Sequence, residues 1–126
     1  MSITTLPTAT FAVALRGVSR TYGRGPTAVH AVDGVDLDFP RGAWTAVMGP
    51  SGSGKSTLLH CAAGLERVDA GRVTIGDTDI TAASDAELTA LRRGRIGFVF
   101  QGYHLIGALS AERNVALPLR LAGRRP

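Results

Sequence analysis

One short stretch of the chain combines glycines, hydroxyl groups and a lysine at a spacing that suits phosphate chemistry. The pattern G-x-x-x-x-G-K-[ST] of a phosphate-binding loop (P-loop) is fitted by consecutive residues, which are Gly49, Pro50, Ser51, Gly52, Ser53, Gly54, Lys55, Ser56 and Thr57. Glycines adopt backbone angles that residues with a Cβ resist, so successive N–H groups can point into one concavity. A helix that begins near Lys55 adds its positive end to that concavity. We therefore expect the Lys55 ammonium to bind the β- and γ-phosphates and the Ser56 hydroxyl to be a ligand of Mg²⁺.

The segments on either side of this loop match the strand–loop–helix setting that a P-loop requires. Residues 44–48 are apolar without alternation, which predicts a strand covered on both faces. Residues 55–63 predict a helix that ends at Gly64, because glycine favours helix ends. A flexible Gly/Ser-rich loop is the alternative, but average residue frequencies make a chance match rare, about one in a hundred for a chain of this length.

The residues before the P-loop predict a tail and two strands. Residues 1–10 are small and polar and are interrupted by Pro7, which predicts a flexible tail. Residues 11–16, together with Val18, form a first strand. Residues 35–39 alternate apolar and acidic side chains, which is the period-two pattern of a strand with one face in water.

After the P-loop helix, the sequence predicts a strand and then a capped helix. Residues 71–76 indicate a strand that ends in a turn. Ser84 and Glu87 have the S-x-x-E spacing of a capping box, and they predict a short helix that stops at Gly94.

The last third of the chain predicts a second buried strand. Residues 96–100 are apolar and lead to Gln101, which would lie at the carboxyl end of that strand, where ligands bind in open α/β sheets. Residues 110–121 contain Pro118, so we expect a helical turn followed by an irregular segment.

Length and composition limit the class of protein. The 126 residues, of which 44% are apolar and 19% charged, suit about one globular domain. The net charge is +4, but the arginines are scattered and no basic block is interleaved with aromatics, so we expect no nucleic-acid partner. Cys61 is the only cysteine, which fits a reducing compartment. Residues 11–15 are the longest apolar run near the N-terminus and are too short for a signal peptide, so a soluble, cytoplasmic protein is expected.

The order of these features resembles an ATP-binding cassette (ABC) ATPase. The resemblance covers residues 11–126 and rests on Tyr22, Val35–Phe39, the P-loop, Gly64-Leu65, Gly71-Arg72-Val73 and Ile96–Gln101. More narrowly, the chain is similar to the subgroup that powers lipoprotein release and macrolide export, through residues 48–52, 92–101 and 114–119. The resemblance implies an α/β fold of the P-loop NTPase class, an ABC nucleotide-binding domain with an N-terminal antiparallel β subdomain.

The same resemblance implies roles for residues outside the P-loop. Tyr22 stands where the family has an aromatic residue that stacks on adenine; the alternative is an ordinary half-buried tyrosine. Gln101 stands where the family has a glutamine that reaches Mg²⁺ and senses the γ-phosphate, so it joins Lys55 as a catalytic candidate and Ser56 as a metal ligand; the alternative is a solvated glutamine. Residues 103–121 stand where the helical subdomain of the family begins and meets its membrane partner; the alternative is that their apolar side chains belong to the hydrophobic core.

Residues that the family needs for hydrolysis have no match in this sequence. The family has a Leu-Ser-Gly-Gly-Gln signature, a strand ending in Asp-Glu (Walker B) and a switch histidine. After Gln101 the only carboxylate is Glu112 and the only histidine is His104, and neither lies in a matching context. We expect the domain to be truncated before these motifs, able to bind a triphosphate and poorly able to hydrolyse it. Strands of the missing half would flank residues 44–48, so the isolated chain is expected to be marginally stable.

For the complete parent, the resemblance implies an ATPase subunit that couples ATP binding and hydrolysis to export or lipoprotein release. Its cofactors would be ATP and Mg²⁺, and its partners a transmembrane permease and a second ATPase subunit at the inner face of the membrane. Two alternatives remain open. One is a soluble P-loop protein acting on DNA or a small phosphoryl acceptor, which salt-dependent DNA binding would favour. The other is a naturally short chain that binds nucleotide without turnover.

Overall fold

The computed structural model of the protein describes residues 11–124, and the predicted tail at residues 1–10 lies outside them. Two compact units follow one another along the chain, with the boundary between Ala83 and Ser84. The first unit contains the sheet and the P-loop, and the second contains two helices.

The first unit is built on a four-stranded antiparallel sheet, as the resemblance implied. Its strands are β1 (Phe11–Tyr22), β2 (Val29–Pro40), β3 (Ala70–Ile75) and β4 (Thr78–Asp79), in the order β2-β1-β3-β4. The first two strands are longer than predicted because they form one hairpin, in which Tyr22 lies opposite Val29. The side chains that are buried against one another come from β1, β2 and β3, and they are Leu15, Val18, Val32, Val73 and Ile75.

Helix α1 (Lys55–Ala62) begins directly after the P-loop, where the sequence predicted it. Cys61 and Ala62 are buried near its C-terminus. The helix ends because Gly64 takes a φ of +73°, which residues with a Cβ rarely adopt. The Leu65 N–H then donates to the His60 carbonyl at 2.9 Å, so the chain turns sharply away from the helix axis.

The second unit contains helix α2 (Asp85–Arg95), and its predicted capping box is confirmed. Ser84 Oγ accepts a hydrogen bond from the Glu87 N–H at 3.2 Å, and Glu87 Oε2 accepts one from the Ser84 N–H at 2.7 Å. The helix continues one residue beyond Gly94, at which it was predicted to stop. Gly94 keeps a negative φ there, so nothing in its backbone ends the helix.

Helix α3 (Ala111–Leu121) corrects the prediction of an irregular segment after Pro118. Proline lacks an N–H, so the helix loses one hydrogen bond at this position, yet the turns before and after it are complete. Ser110 caps the N-terminus by accepting from the Arg113 N–H at 3.2 Å. At the other end, the Ala122 N–H donates to the Pro118 carbonyl at 3.0 Å. The capped turns therefore outweigh the single bond that proline removes.

The two predicted buried strands are wrong in this structure. Residues 44–48 and 96–100 are irregular, and Trp44 is fully exposed while Met48 and Val99 are 87% and 82% exposed. A strand needs a neighbour that pairs with its N–H and C=O groups. Within residues 11–124, the strands pair only with one another, so these apolar runs have no partner to pair with.

Of the helices in that part of the chain, none is long and apolar enough to cross a membrane.

Candidate functional site

The P-loop forms a tight curve between the irregular segment and α1. The Ser53 N–H donates to the Pro50 carbonyl at 3.2 Å, which closes a turn, and the Leu58 N–H donates to the Gly54 carbonyl at 2.9 Å, which opens the helix. Gly54 is the N-cap residue of α1, with a φ of +89°. The loop therefore delivers the chain directly to the positive end of the helix.

The Lys55 side chain folds back over this curve. Its Nζ donates to the Gly49 carbonyl at 2.5 Å, to the Pro50 carbonyl at 2.8 Å and to Ser53 Oγ at 3.3 Å. An ammonium group has three N–H donors, so all three are directed at the loop. The positive charge is thereby held on the P-loop itself.

Two glycines of the P-loop are required by its geometry for different reasons. A Cβ on Gly54 would lie 2.0 Å from the Ala31 carbonyl oxygen of β2, a distance that no real contact allows. Gly52 has a φ of +79°, but a Cβ there would meet nothing within 4 Å. Gly54 therefore allows the loop to pack against β2, whereas Gly52 is needed only because the backbone there has a positive φ.

An open groove of about 510 Å³ lies between β2 and the P-loop. One wall is formed by residues 30–33 and Val35 of β2. The other is formed by residues of the loop and of α1, which are Gly49, Pro50, Ser53, Gly54, Lys55 and Leu58. The groove is therefore bordered by the glycine backbone and by the lysine that would meet a phosphate group.

Tyr22 is connected to this groove through the tip of the β1–β2 hairpin. It lies at the end of β1 opposite Val29, and its side chain is 39% exposed. The neighbouring Thr21 Oγ1 lies 3.0 Å from Nδ1 of His30, and His30 lines the groove. Ala31, the next residue, is the one that meets Gly54. Three consecutive residues of β2 thus link the predicted adenine-stacking residue to the P-loop.

An arginine that the sequence did not single out contacts Tyr22. The Arg20 guanidinium carbon lies 4.8 Å from the centre of the tyrosine ring, within the range of a cation–π interaction. Arg20 also forms ion pairs with Glu66 at 2.5 Å and with Asp69 at 3.1 Å. The only sequence clue was a cation two residues before the aromatic residue, because alternate residues of a strand share a face.

Asp69 contacts both Arg20 and the backbone of Thr21. Its Oδ2 accepts a hydrogen bond from the Thr21 N–H at 2.7 Å, and its Oδ1 accepts one from Arg20 at 3.1 Å. The Thr21 N–H, helped by the Arg20 guanidinium, holds the pKa of Asp69 below its ordinary value. The carboxylate therefore stays ionised at neutral pH and ties the connector after α1 to the end of β1.

The remaining predicted site residues fall into two groups. Ser56 and Thr57 lie in the first turn of α1, with Ser56 exposed. Gln101 is exposed in a turn of the second unit, where the Tyr103 N–H donates to the Phe100 carbonyl at 2.9 Å. The structure therefore brings the P-loop residues and the Tyr22 hairpin together in one unit and places Gln101 in the other. In the part of the chain that is described, no group of three or more His, Cys, Asp and Glu side chains could hold a metal ion.

Comparison with known proteins connects this geometry to a family. The family model described as ABC transporter matches residues 32–125, a range that includes the P-loop wall of the groove, part of its β2 wall and Gln101. The chain belongs to the ABC transporter family. This membership confirms the resemblance that the motifs indicated.

Individual relatives are similar over most of this chain. The methionine import ATP-binding protein MetN of Chromohalobacter salexigens is 49% identical over 88% of this chain and 32% of its own length. The lipoprotein-releasing system ATP-binding protein LolD of Granulibacter bethesdensis is 48% identical over 90% of this chain and 49% of its own. The chain thus spans about a third of the first of these relatives and about half of the second.

A solved structure shows the same fold. The ATP-binding cassette MJ0796, determined as a dimer in a post-hydrolysis state bound to ADP and Pi, superimposes with a TM-score of 0.83. It is 41% identical in sequence, and the match covers 90% of this chain and 49% of that one. The fold is therefore that of an ABC ATPase cassette, of which this chain spans about half.

Proposed function

We propose that this chain binds ATP with Mg²⁺ as the nucleotide-binding part of an ABC transporter ATPase. The observation that carries the proposal is the position of Lys55, whose ammonium is held against the P-loop by Gly49, Pro50 and Ser53. The close packing of Gly54 on Ala31 supports it, because it holds the P-loop against β2, beside the groove that Lys55 lines.

The residues present fit a triphosphate and its metal ion. The N–H groups of the P-loop and of the first turn of α1 would bind the phosphate oxygens, aided by the helix dipole. Lys55 now bonds neutral oxygens, and charged phosphate oxygens would compete well for it because charge-assisted hydrogen bonds are about twice as strong as neutral ones. Bound Mg²⁺ would neutralise phosphate charge, with Ser56 as one ligand, whereas a role of Gln101 as a metal ligand stays a prediction from the family resemblance. Tyr22 would stack on adenine.

Hydrolysis and transport belong to the proposed role of the whole protein. Glu112, the only carboxylate after Gln101, is an exposed residue in the first turn of α3 and does not suit the activation of water. We infer that the 126 residues bind ATP and turn it over poorly, and that the whole protein couples hydrolysis to transport.

The proposed partners are a membrane permease and a second ATPase subunit. MJ0796 was solved as a dimer, which supports the second subunit, and the relatives are named for transport and release systems. The proposed location is the inner face of the membrane, through the permease. The names include methionine import, lipoprotein release and macrolide export, so the similarity supports a transport role without fixing its direction.

Isothermal titration of the chain with ATP and Mg²⁺ tests the proposal. Lys55→Ala removes up to three charged hydrogen bonds, and we expect ATP affinity to fall by about 10- to 100-fold or more, since such bonds contribute roughly 1.5–3 kcal/mol each. Arg72→Ala is the matched control, because it removes one positive charge from an exposed pair with Asp79 on the sheet. The proposal fails if the wild-type chain does not bind ATP or if Lys55→Ala binds it as tightly as Arg72→Ala. Rapid ATP hydrolysis by the chain would contradict the inferred poor turnover.

A further inference from the structure

The Arg20–Tyr22 pair is a feature that ATP binding by the P-loop does not explain. The guanidinium of Arg20 lies over the tyrosine ring, with 4.8 Å between its carbon and the ring centre. One face of the ring is therefore covered by a cation, while the side chain as a whole remains 39% exposed. At most one face of the ring is then left for a ligand.

Arg20 is itself fixed from outside β1. Its two terminal nitrogens contact the carboxylates of Glu66 and Asp69, and both acids lie in the connector between α1 and β3. The side chain is only 24% exposed, and its Nε is buried without a hydrogen-bond partner. The guanidinium plane is thus held by a two-carboxylate fork.

This arrangement restricts a ring that would otherwise be free to rotate. Tyr22 is the last residue of β1, and a half-exposed aromatic side chain at a strand end gains little from packing. A base that stacks on a mobile ring must also order it, which weakens binding. A ring already held by a cation on one face avoids that loss and leaves its other face for the base.

We propose that Arg20 is a positioning residue for the nucleobase, which holds the Tyr22 ring so that adenine stacks on the face that the guanidinium leaves free. The inference rests on the proposed function, because it assigns the contact to the base end of the same nucleotide. The two carboxylates extend the arrangement to α1, which carries Lys55 at its N-terminus. The base end and the phosphate end of the site are therefore both attached to one helix and its connector.

The test compares two ligands that share phosphate chemistry and differ in the base. Tripolyphosphate should require only the P-loop, whereas ATP should use the P-loop and Tyr22. Arg20→Met keeps the length of the side chain and removes the cation. We expect it to weaken ATP binding by about 3- to 30-fold, the range that cation–π energies imply, and to leave tripolyphosphate binding unchanged within about twofold.

Arg16→Met is the matched control, because Arg16 lies on the same strand and pairs with Asp38 at 2.6 Å without contacting an aromatic ring. It should leave both affinities near those of the wild type. Tyr22→Leu should reproduce the selective loss of ATP affinity, and adding Arg20→Met to it should weaken ATP binding by less than about twofold further, because the two residues act as a unit.

Arg20→Lys keeps a cation near the acids, so it provides a second test of the inference if Arg20→Met does not fold. It should lose less ATP affinity than Arg20→Met and bind tripolyphosphate normally. Equal losses for both ligands in the two Arg20 variants would show a merely structural role and overturn the inference, as would unchanged ATP binding by Arg20→Met. If the wild-type chain binds neither ligand, the proposed function fails and this inference fails with it. If the wild-type chain binds both ligands and Arg20→Met binds them with the same affinities, only the inference about Arg20 fails.

Discussion

Replacing Gly54 by alanine should destabilise the protein more than the same change at any open glycine of the P-loop. The new Cβ would lie 2.0 Å from the Ala31 carbonyl oxygen and 3.0 Å from its carbon, on a residue with a φ of +89°. The backbone angle costs about 1–2 kcal/mol for a residue with a Cβ, and a forced shift of packed atoms costs about 1–3 kcal/mol more. The expected loss in the free energy of unfolding is therefore about 2–5 kcal/mol.

Gly52→Ala provides the matched control within the same loop. Gly52 has a similar φ of +79°, but nothing lies within 4 Å of the Cβ position, so only the backbone term remains, about 1–2 kcal/mol. The difference between the two variants isolates the contact between the P-loop and β2.

Urea unfolding followed by far-ultraviolet circular dichroism measures both variants. Tryptophan fluorescence is unsuitable because Trp44, the only tryptophan, is fully exposed. An osmolyte that strengthens burial keeps the weaker variant folded at zero denaturant. If Gly54→Ala and Gly52→Ala lose the same free energy, to within about 0.5 kcal/mol, a precision typical of such comparisons, the P-loop does not pack on β2 as described.

Three further substitutions test other parts of the fold. Asp69→Asn should lower the melting temperature at neutral pH. The Thr21 N–H holds the pKa of Asp69 below its ordinary value, so the deficit should shrink as the pH falls below that ordinary value, and a deficit independent of pH would refute this. Asn114→Ala removes the acceptor of the Ile106 N–H and the two donors of the amide Nδ2, which lies within 3.2 Å of the carbonyls of Ile106, Leu109 and Ser110; urea titration should show a loss of about 2–3 kcal/mol, and a loss below about 0.5 kcal/mol would contradict these bonds. Tyr103→Gly relieves a φ of +61° and should raise stability by about 0.5–1 kcal/mol; no gain would argue against strain there.

Local patterns in the sequence determined the elements whose stabilising groups lie within a few residues of one another. The P-loop turn, the start of α1 at Lys55 and the capping box between Ser84 and Glu87 all depend on contacts of this kind. The alternation in residues 35–39 likewise predicted a strand with one wet face, now part of β2. For the P-loop turn and the helix ends, the residue type fixes a backbone angle or supplies a hydrogen bond nearby, and for β2 the strand that pairs with it is β1, its neighbour in the chain.

Tertiary structure decided the features that depend on distant partners. Residues 44–48 and 96–100 are apolar enough for strands, but a strand forms only where another supplies its hydrogen bonds, and the described residues supply none there. Pro118 predicts a break in the helix, but a cap and complete turns around it hold α3 together.

The contact of Arg20 with Tyr22 shows the same division at the candidate site. Apart from the spacing of Arg20 and Tyr22, the sequence gave no sign of this contact, because the acids that orient Arg20 lie 46 and 49 residues further along the chain, at Glu66 and Asp69. The sequence by itself determined that a phosphate-binding loop and an aromatic residue are present. Only the folded sheet, which brings the connector after α1 against the end of β1, decided which cation faces that aromatic ring, because hydrogen bonds and ion pairs act over a few ångströms in space regardless of separation along the chain.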